Sequence, residues 1–160
     1  MSLRTVIGVV ITAILILGSA ATPSANASPP DDACALLTTA QVSAGVSVPV
    51  KDGQYVTPGK KETCTWMATK PTDKSTKMVT LMIEGLDMFQ STRTSLVKTI
   101  IVTPVSGLGD EARYVTLSTN VVLHVKKGSV ALRITVYADL PVETKQAMEK
   151  TLAQQVVSKL

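Results

Sequence analysis

The sequence predicts an α+β domain in which helices pack on one face of a twisted antiparallel sheet, closed by a single disulfide. Three observations lead there. Residues 112–137 hold three short β-type segments joined by turns of two or three residues, and the last alternates in period two. The final residues place Met148, Leu152, Val156 and Leu160 at four-residue intervals, the stripe of an amphipathic helix. Two cysteines, Cys34 and Cys64, stand in a chain whose N-terminus reads as an export signal.

That signal comes first. Arg4 is the only charge before Asp31, and an apolar-rich run from Thr5 to Leu17 follows it. Small residues then lead to Ala25-Asn26-Ala27, the A-x-A form that signal peptidase accepts, so residues 1–27 are read as a signal peptide cleaved before Ser28. The run is shorter than the roughly 20 apolar residues that cross a bilayer. A lipid-attachment cysteine needs small or aliphatic residues before it, whereas Cys34 follows Asp31-Asp32-Ala33. The expectation is therefore a secreted protein with no stable membrane anchor: a leader over 28–32 and a single domain over 33–160. The oxidising compartment makes a Cys34–Cys64 pair the default.

Asp31-Asp32 supplies negative charge where a helical turn over 33–37 can start. Thr38 and Gln41 have the spacing of a capping box, with Leu37 and Val42 as a hydrophobic staple and Gly45 as the expected C-cap. Strands are expected over 54–57, 62–69 and 78–84, the last with Val79, Leu81 and Ile83 on one face, and a polar turn of Pro71, Asp73 and Ser75 separates the second from the third. Asp87 is expected to cap a helix reaching Lys98 and burying Met88, Leu96 and Phe89. Extended structure resumes over 99–105, and strands over 112–117, 121–126 and 130–137 form an antiparallel meander. Asp139 and Pro141 begin the last helix.

Composition excludes several functions. With Arg4 removed, 15 basic side chains face 12 acidic ones, a net charge of +3. The lysines at 60, 61, 70, 74, 77, 126 and 127 fall in turn-like stretches and read as a solvated rim. Nucleic-acid binding is not expected of an exported chain with five aromatic residues to stack on bases. No cofactor and no metal set is expected, since there is one histidine and no C-x-x-C pair.

The candidate site residues are few. His124 is the one side chain that titrates near neutrality without help. Ser95 and Lys98 match S-x-x-K, but the companion S-D-N and K-T-G elements are missing, as is a G-x-S-x-G elbow. Gly107-Leu108-Gly109-Asp110-Glu111 is the most site-like loop: its glycines permit positive φ and its acids could accept a partner's basic groups. A tight turn entering a strand is the preferred reading, and Asp110 and Glu111 as neighbours in a strand would face opposite ways.

Ala33-Cys-Ala-Leu-Leu-Thr-Thr-Ala-Gln-Val42, Cys64-Thr-Trp66, Val105-Ser-Gly-Leu-Gly-Asp-Glu-Ala112 and the strand pair from Val122 to Leu132 together resemble small exported proteins and lipoproteins, chiefly actinobacterial, of a domain family of unknown function. The resemblance covers nearly the whole mature chain. It implies a disulfide between the first-helix cysteine and the early-strand cysteine and a compact sheet-and-helix fold, and it brings no catalytic or binding residues. The sequence-level expectation is a secreted, non-enzymatic binding module for an extracellular protein, lipid or cell-wall component. The competing readings are a hydrolase using Ser95 and Lys98 or His124, and an inhibitor of a secreted enzyme.

Overall fold

The computed structural model describes residues 30–72 and 75–160. The expected signal peptide, and Asp73 of the expected polar turn, lie outside the described residues.

Asp32 caps the short helix α1 (Ala33–Leu36) by accepting from the Cys34 and Ala35 amides. In α2 (Thr39–Val46) the capping box forms as the spacing requires: the Gln41 amide donates to Thr38 Oγ1 at 3.2 Å and the Thr38 amide donates to Gln41 Oε1 at 2.9 Å. Gly45 is not the C-cap. The helix continues through Val46 and stops at Ser47 in the left-handed region. Gly45 serves packing instead, since a Cβ there would lie 2.6 Å from Leu152 Cδ2.

Seven strands follow: β1 (Gln54–Tyr55), β2 (Thr63–Met67), β3 (Thr76–Glu84), β4 (Ile100–Val105), β5 (Glu111–Leu117), β6 (Asn120–Lys127) and β7 (Val130–Ala138). They form one antiparallel sheet in the order β1-β2-β3-β7-β6-β5-β4. Two meanders, β1 to β3 and β4 to β7, thus join through the central β3·β7 pair. One line of partners crosses the whole sheet: Tyr55, Cys64, Leu81, Ile134, Leu123, Tyr114 and Thr103. Period two places this line and its neighbours, Trp66, Val79, Val125, Leu132 and Val136, on the face that becomes the core.

Helices α1, α2 and α4 (Val142–Val157) cover that face. Cys34 of α1 is bonded to Cys64 of β2 across a sequence separation of 30, and Lys159 beyond α4 donates to the Leu36 carbonyl at 2.7 Å. The α+β architecture is therefore a sheet with its main helical layer on one face and one disulfide. To this the structure adds a short helix on the other face, α3 (Leu86–Ser91), which sits over β6 and β7 and buries Phe89.

Helix α3 is half the length expected, and Met88 and Leu96 are exposed rather than buried. Two hydroxyls end it: Ser91 Oγ donates to the Met88 carbonyl at 2.7 Å and Thr92 Oγ1 to the Phe89 carbonyl at 2.8 Å, offering those carbonyls a local partner in place of the next helical turn.

The stripe of α4 also differs. Leu152 and Val156 are fully buried as the spacing requires, but Leu160 is 37 % exposed, and Lys145 and Glu149 lie inside. Each has a structural task. Beyond the last β6·β7 pair, Leu123 with Ile134, the Val136 amide lacks a strand partner on that side, and it donates to Glu149 Oε1 at 3.0 Å. Lys145 Nζ donates to the carbonyl of Thr119 in the β5–β6 turn. Burial is the main cause that pushes the Glu149 carboxyl up to about 8, against the opposing effects of the Val136 amide and Lys145.

Candidate functional site

The face opposite the core divides into two halves. Near α3 it carries a ladder of side chains in register: Met82, Arg133, His124, Arg113 and Pro104. His124 is buried, and its Nδ1 meets Glu84 Oε1 at 2.9 Å beneath α3. Arg113 donates to the Phe89 carbonyl at 2.6 Å and to Thr92 Oγ1 at 2.9 Å, and its guanidinium lies 4.0 Å over the Phe89 ring. Glu111 bridges Arg113 to Arg93, which is 2.8 Å from its Oε2, and these partners, Arg93 foremost, hold its carboxyl below the usual range. These bonds pin α3 to the sheet.

Asp110 is equally committed. Its Oδ2 accepts from the Gly128 amide at 2.6 Å and its Oδ1 from Lys127 Nζ at 3.2 Å, so its carboxyl is held down by that amide first and by the lysine second. It thereby ties its loop to the β6–β7 turn. Gly109 has φ +61°, and a Cβ there would collide with the Lys126 carbonyl oxygen. The loop from Gly107 to Glu111 is a tight turn entering a strand, with Leu108 buried under it.

Ser95 and Lys98 lie past the end of α3, so the helical S-x-x-K arrangement does not form; Ser95 Oγ accepts from the Val97 amide at 3.1 Å in a local turn. None of Ser95, Asp110 and His124 is bonded to another of the three.

The other half of the face is open. Met67, Met78 and Tyr137 form one line of register partners, and Gln54, Thr65, Thr80 and Thr135 form the next. Beyond the end of the β6·β7 ladder, β6, β5 and β4 carry two further uncharged lines of their own, Asn120, Leu117 and Ile100, and Val122, Val115 and Val102. At about 4.8 Å between strands the stretch of this stripe on β1, β2, β3 and β7 is about 14 Å long and that on β6, β5 and β4 about 10 Å, with about 7 Å between lines two residues apart. No position in the stripe carries a charge. Met67, Tyr137 and Leu117 are 47 %, 45 % and 47 % exposed, and at the β1–β7 end the surface dips into a hollow of about 460 Å³ floored by Thr65, Thr80 and Met78. A second hollow, about 310 Å³, lies past Thr63 and Met82 toward Met88 and Glu84.

No protein-family model, curated protein or solved structure matches the chain. The site must therefore be read from its own chemistry. Among the described residues there is no group of three or more His, Cys, Asp or Glu side chains placed to hold a metal ion, and no helix is long and apolar enough to cross a membrane. The open stripe offers contact area, backbone-flanked hydroxyls and thioethers. Such a surface can bind, and it holds no nucleophile paired with a base.

Sequence reasoning named the loop acids and His124 and missed this face. Its signal was present: the outward positions of β2 and β3, from Thr65 and Met67 to Met78 and Thr80, lack the charges that normally fill the solvent side of an antiparallel strand.

Proposed function

We propose that this chain is a secreted, non-enzymatic binding module whose recognition surface is the open stripe of its sheet. The observation that carries the reading is the open half of the outer face, whose lines on β1, β2, β3 and β7 and on β6, β5 and β4 hold no charge where a solvated sheet would present charges. Two further features support it. The polar residues that could have served catalysis are occupied in holding α3 and the loops, as described for His124, Asp110 and Glu111. The interface between sheet and helices is filled by side chains such as Trp66, Phe89 being its counterpart under α3, which favours recognition at the surface over a ligand enclosed in the core. Export through a cleaved leader, with retention neither by lipid nor by a membrane span, belongs to the same proposal, and the disulfide is compatible with it.

The test is retention of cell-envelope components by the immobilised mature chain. Thr80→Glu and Val115→Glu each place one charge in the stripe at half-exposed positions. Both variants should fold and lose the retained component. Equal retention by wild type and both variants would overturn the reading.

A further inference from the structure

We propose that the stripe takes a single-chain anionic amphiphile, with a carboxylate or phosphate group forked by Arg133 and its apolar chain lying over β7, β3 and β2. The proposal rests on the reading of the open stripe as the recognition surface and adds the chemistry of what it recognises.

Charges along one ladder pair off unevenly. Arg133, His124 and Arg113 stand side by side in register. His124 has Glu84 and Arg113 has Glu111. Arg133 has no carboxylate within 4.0 Å among the described residues; its one side-chain hydrogen bond there runs from Nη2 to Met82 Sδ at 3.0 Å. Glu84, opposite Ala131 in the next row, gives its Oε1 to His124, and its Oε2 has no hydrogen-bond partner and lies more than 4.0 Å from the Arg133 guanidinium nitrogens. A half-buried guanidinium whose remaining N–H groups face no acid is set to receive an external anion, and its planar fork suits carboxylate and phosphate alike.

The second observation is what adjoins it. Arg133 is two residues from Thr135 on the same face, at the border of the uncharged stripe, and Met82 under its guanidinium is followed across β2 by Thr63, which lines the 460 Å³ hollow. The surface therefore passes from a cation to methionine, threonine and tyrosine with no intervening charge. Methionine thioethers and threonine methyl groups conform to a flexible chain without demanding a fixed shape. The stripe is too narrow for the roughly 800 Å² per partner that a standard protein interface buries, which favours a slender ligand over a second copy of the domain.

Calorimetric titration and amide NMR of the mature chain would test this, with each probe below its critical micelle concentration. Dodecanoate and dodecyl phosphate are the anionic probes and distinguish a fatty-acid from a phosphate-headed source. Dodecyl maltoside and dodecyltrimethylammonium control for charge, and acetate and inorganic phosphate for the chain. At least one anionic probe should bind one to one with shifts at Thr80, Met78 and Arg133, while acetate and phosphate leave the spectrum unchanged. Arg133→Gln should weaken it at least about tenfold and Arg133→Lys by less, because the charge remains and the fork is lost. Thr80→Glu should abolish it at an unchanged urea midpoint. Equal binding of anionic and cationic detergents, or no effect of Arg133→Gln, overturns the proposal. If neither anionic probe binds while the stripe still retains envelope material, this proposal falls and the open-face reading stands; if Thr80→Glu changes nothing in either assay, both fall.

Discussion

Replacing Glu149 by glutamine should remove the loss of stability with rising pH that its buried carboxyl causes between 4.5 and about 8. The carboxyl is fully buried on α4, and burial raises it from 4.5 to about 8. The native state therefore holds a proton that the unfolded chain releases once the pH passes 4.5. Since the unfolded state binds fewer protons in that window, the Glu149 contribution to stability is fully present below pH 4.5 and is lost as pH rises through about 8. Each tenfold difference in proton affinity between the two states is equivalent to about 1.4 kcal/mol, so the loss across the window is on the order of 5 kcal/mol. Lys145 on the same helix and Tyr114, itself raised to about 12 by burial first and the Glu149 charge second, are the ionisable groups that face it. Glutamine keeps an acceptor for the Val136 amide and puts its NH₂ where Oε2 already lacks a partner, so the substitution isolates the titration. Urea midpoints of both proteins at intervals from about pH 4.5 to about pH 8.5 would read the effect. Parallel curves for wild type and Glu149→Gln would refute the reasoning.

Three further outcomes follow from the same geometry. Replacing Cys34 and Cys64 together by serine should cost about 3–4 kcal/mol in urea unfolding, the chain-entropy value for a separation of 30 residues, and reduction of the wild type should reproduce it. Gly109→Ala should cost about 2 kcal/mol or more, since φ is +61° and the new methyl meets the Lys126 carbonyl; Gly107→Ala, also at positive φ but with open space around it, should cost less. Arg113→Met should remove about 2 kcal/mol by depriving the Phe89 carbonyl of its charged donor, and hydrogen exchange should then show α3 opening before the sheet does.

How far the fold was legible depended on whether its determinants were local. The Thr38–Gln41 box and the meander from β5 to β7 were readable because a cap and a hairpin are decided by residues a few positions apart. The length of α3 was not, because Arg113, more than twenty residues on, joins Thr92 at the Phe89 carbonyl where the helix ends. Lys145 and Glu149 stand outside the apolar stripe that the spacing of α4 defines. Their burial answers an unpaired amide in β7 and a carbonyl in the β5–β6 turn, a need visible only once α4 lies on the sheet. The open stripe was legible in fragments. Its uncharged positions can be read strand by strand, but their alignment depends on β3 pairing with β7, an order that no local pattern encodes.

Recognition on the open stripe is tested most directly by amide chemical-shift mapping of residues 28–160, titrated with solubilised cell-envelope material. Shifts should concentrate at Thr65, Thr80, Thr135, Val122 and Val115 and their row neighbours, with the 107–111 loop unmoved. Shifts centred on Asp110 and Glu111, or on Ser95 and Lys98, would contradict it.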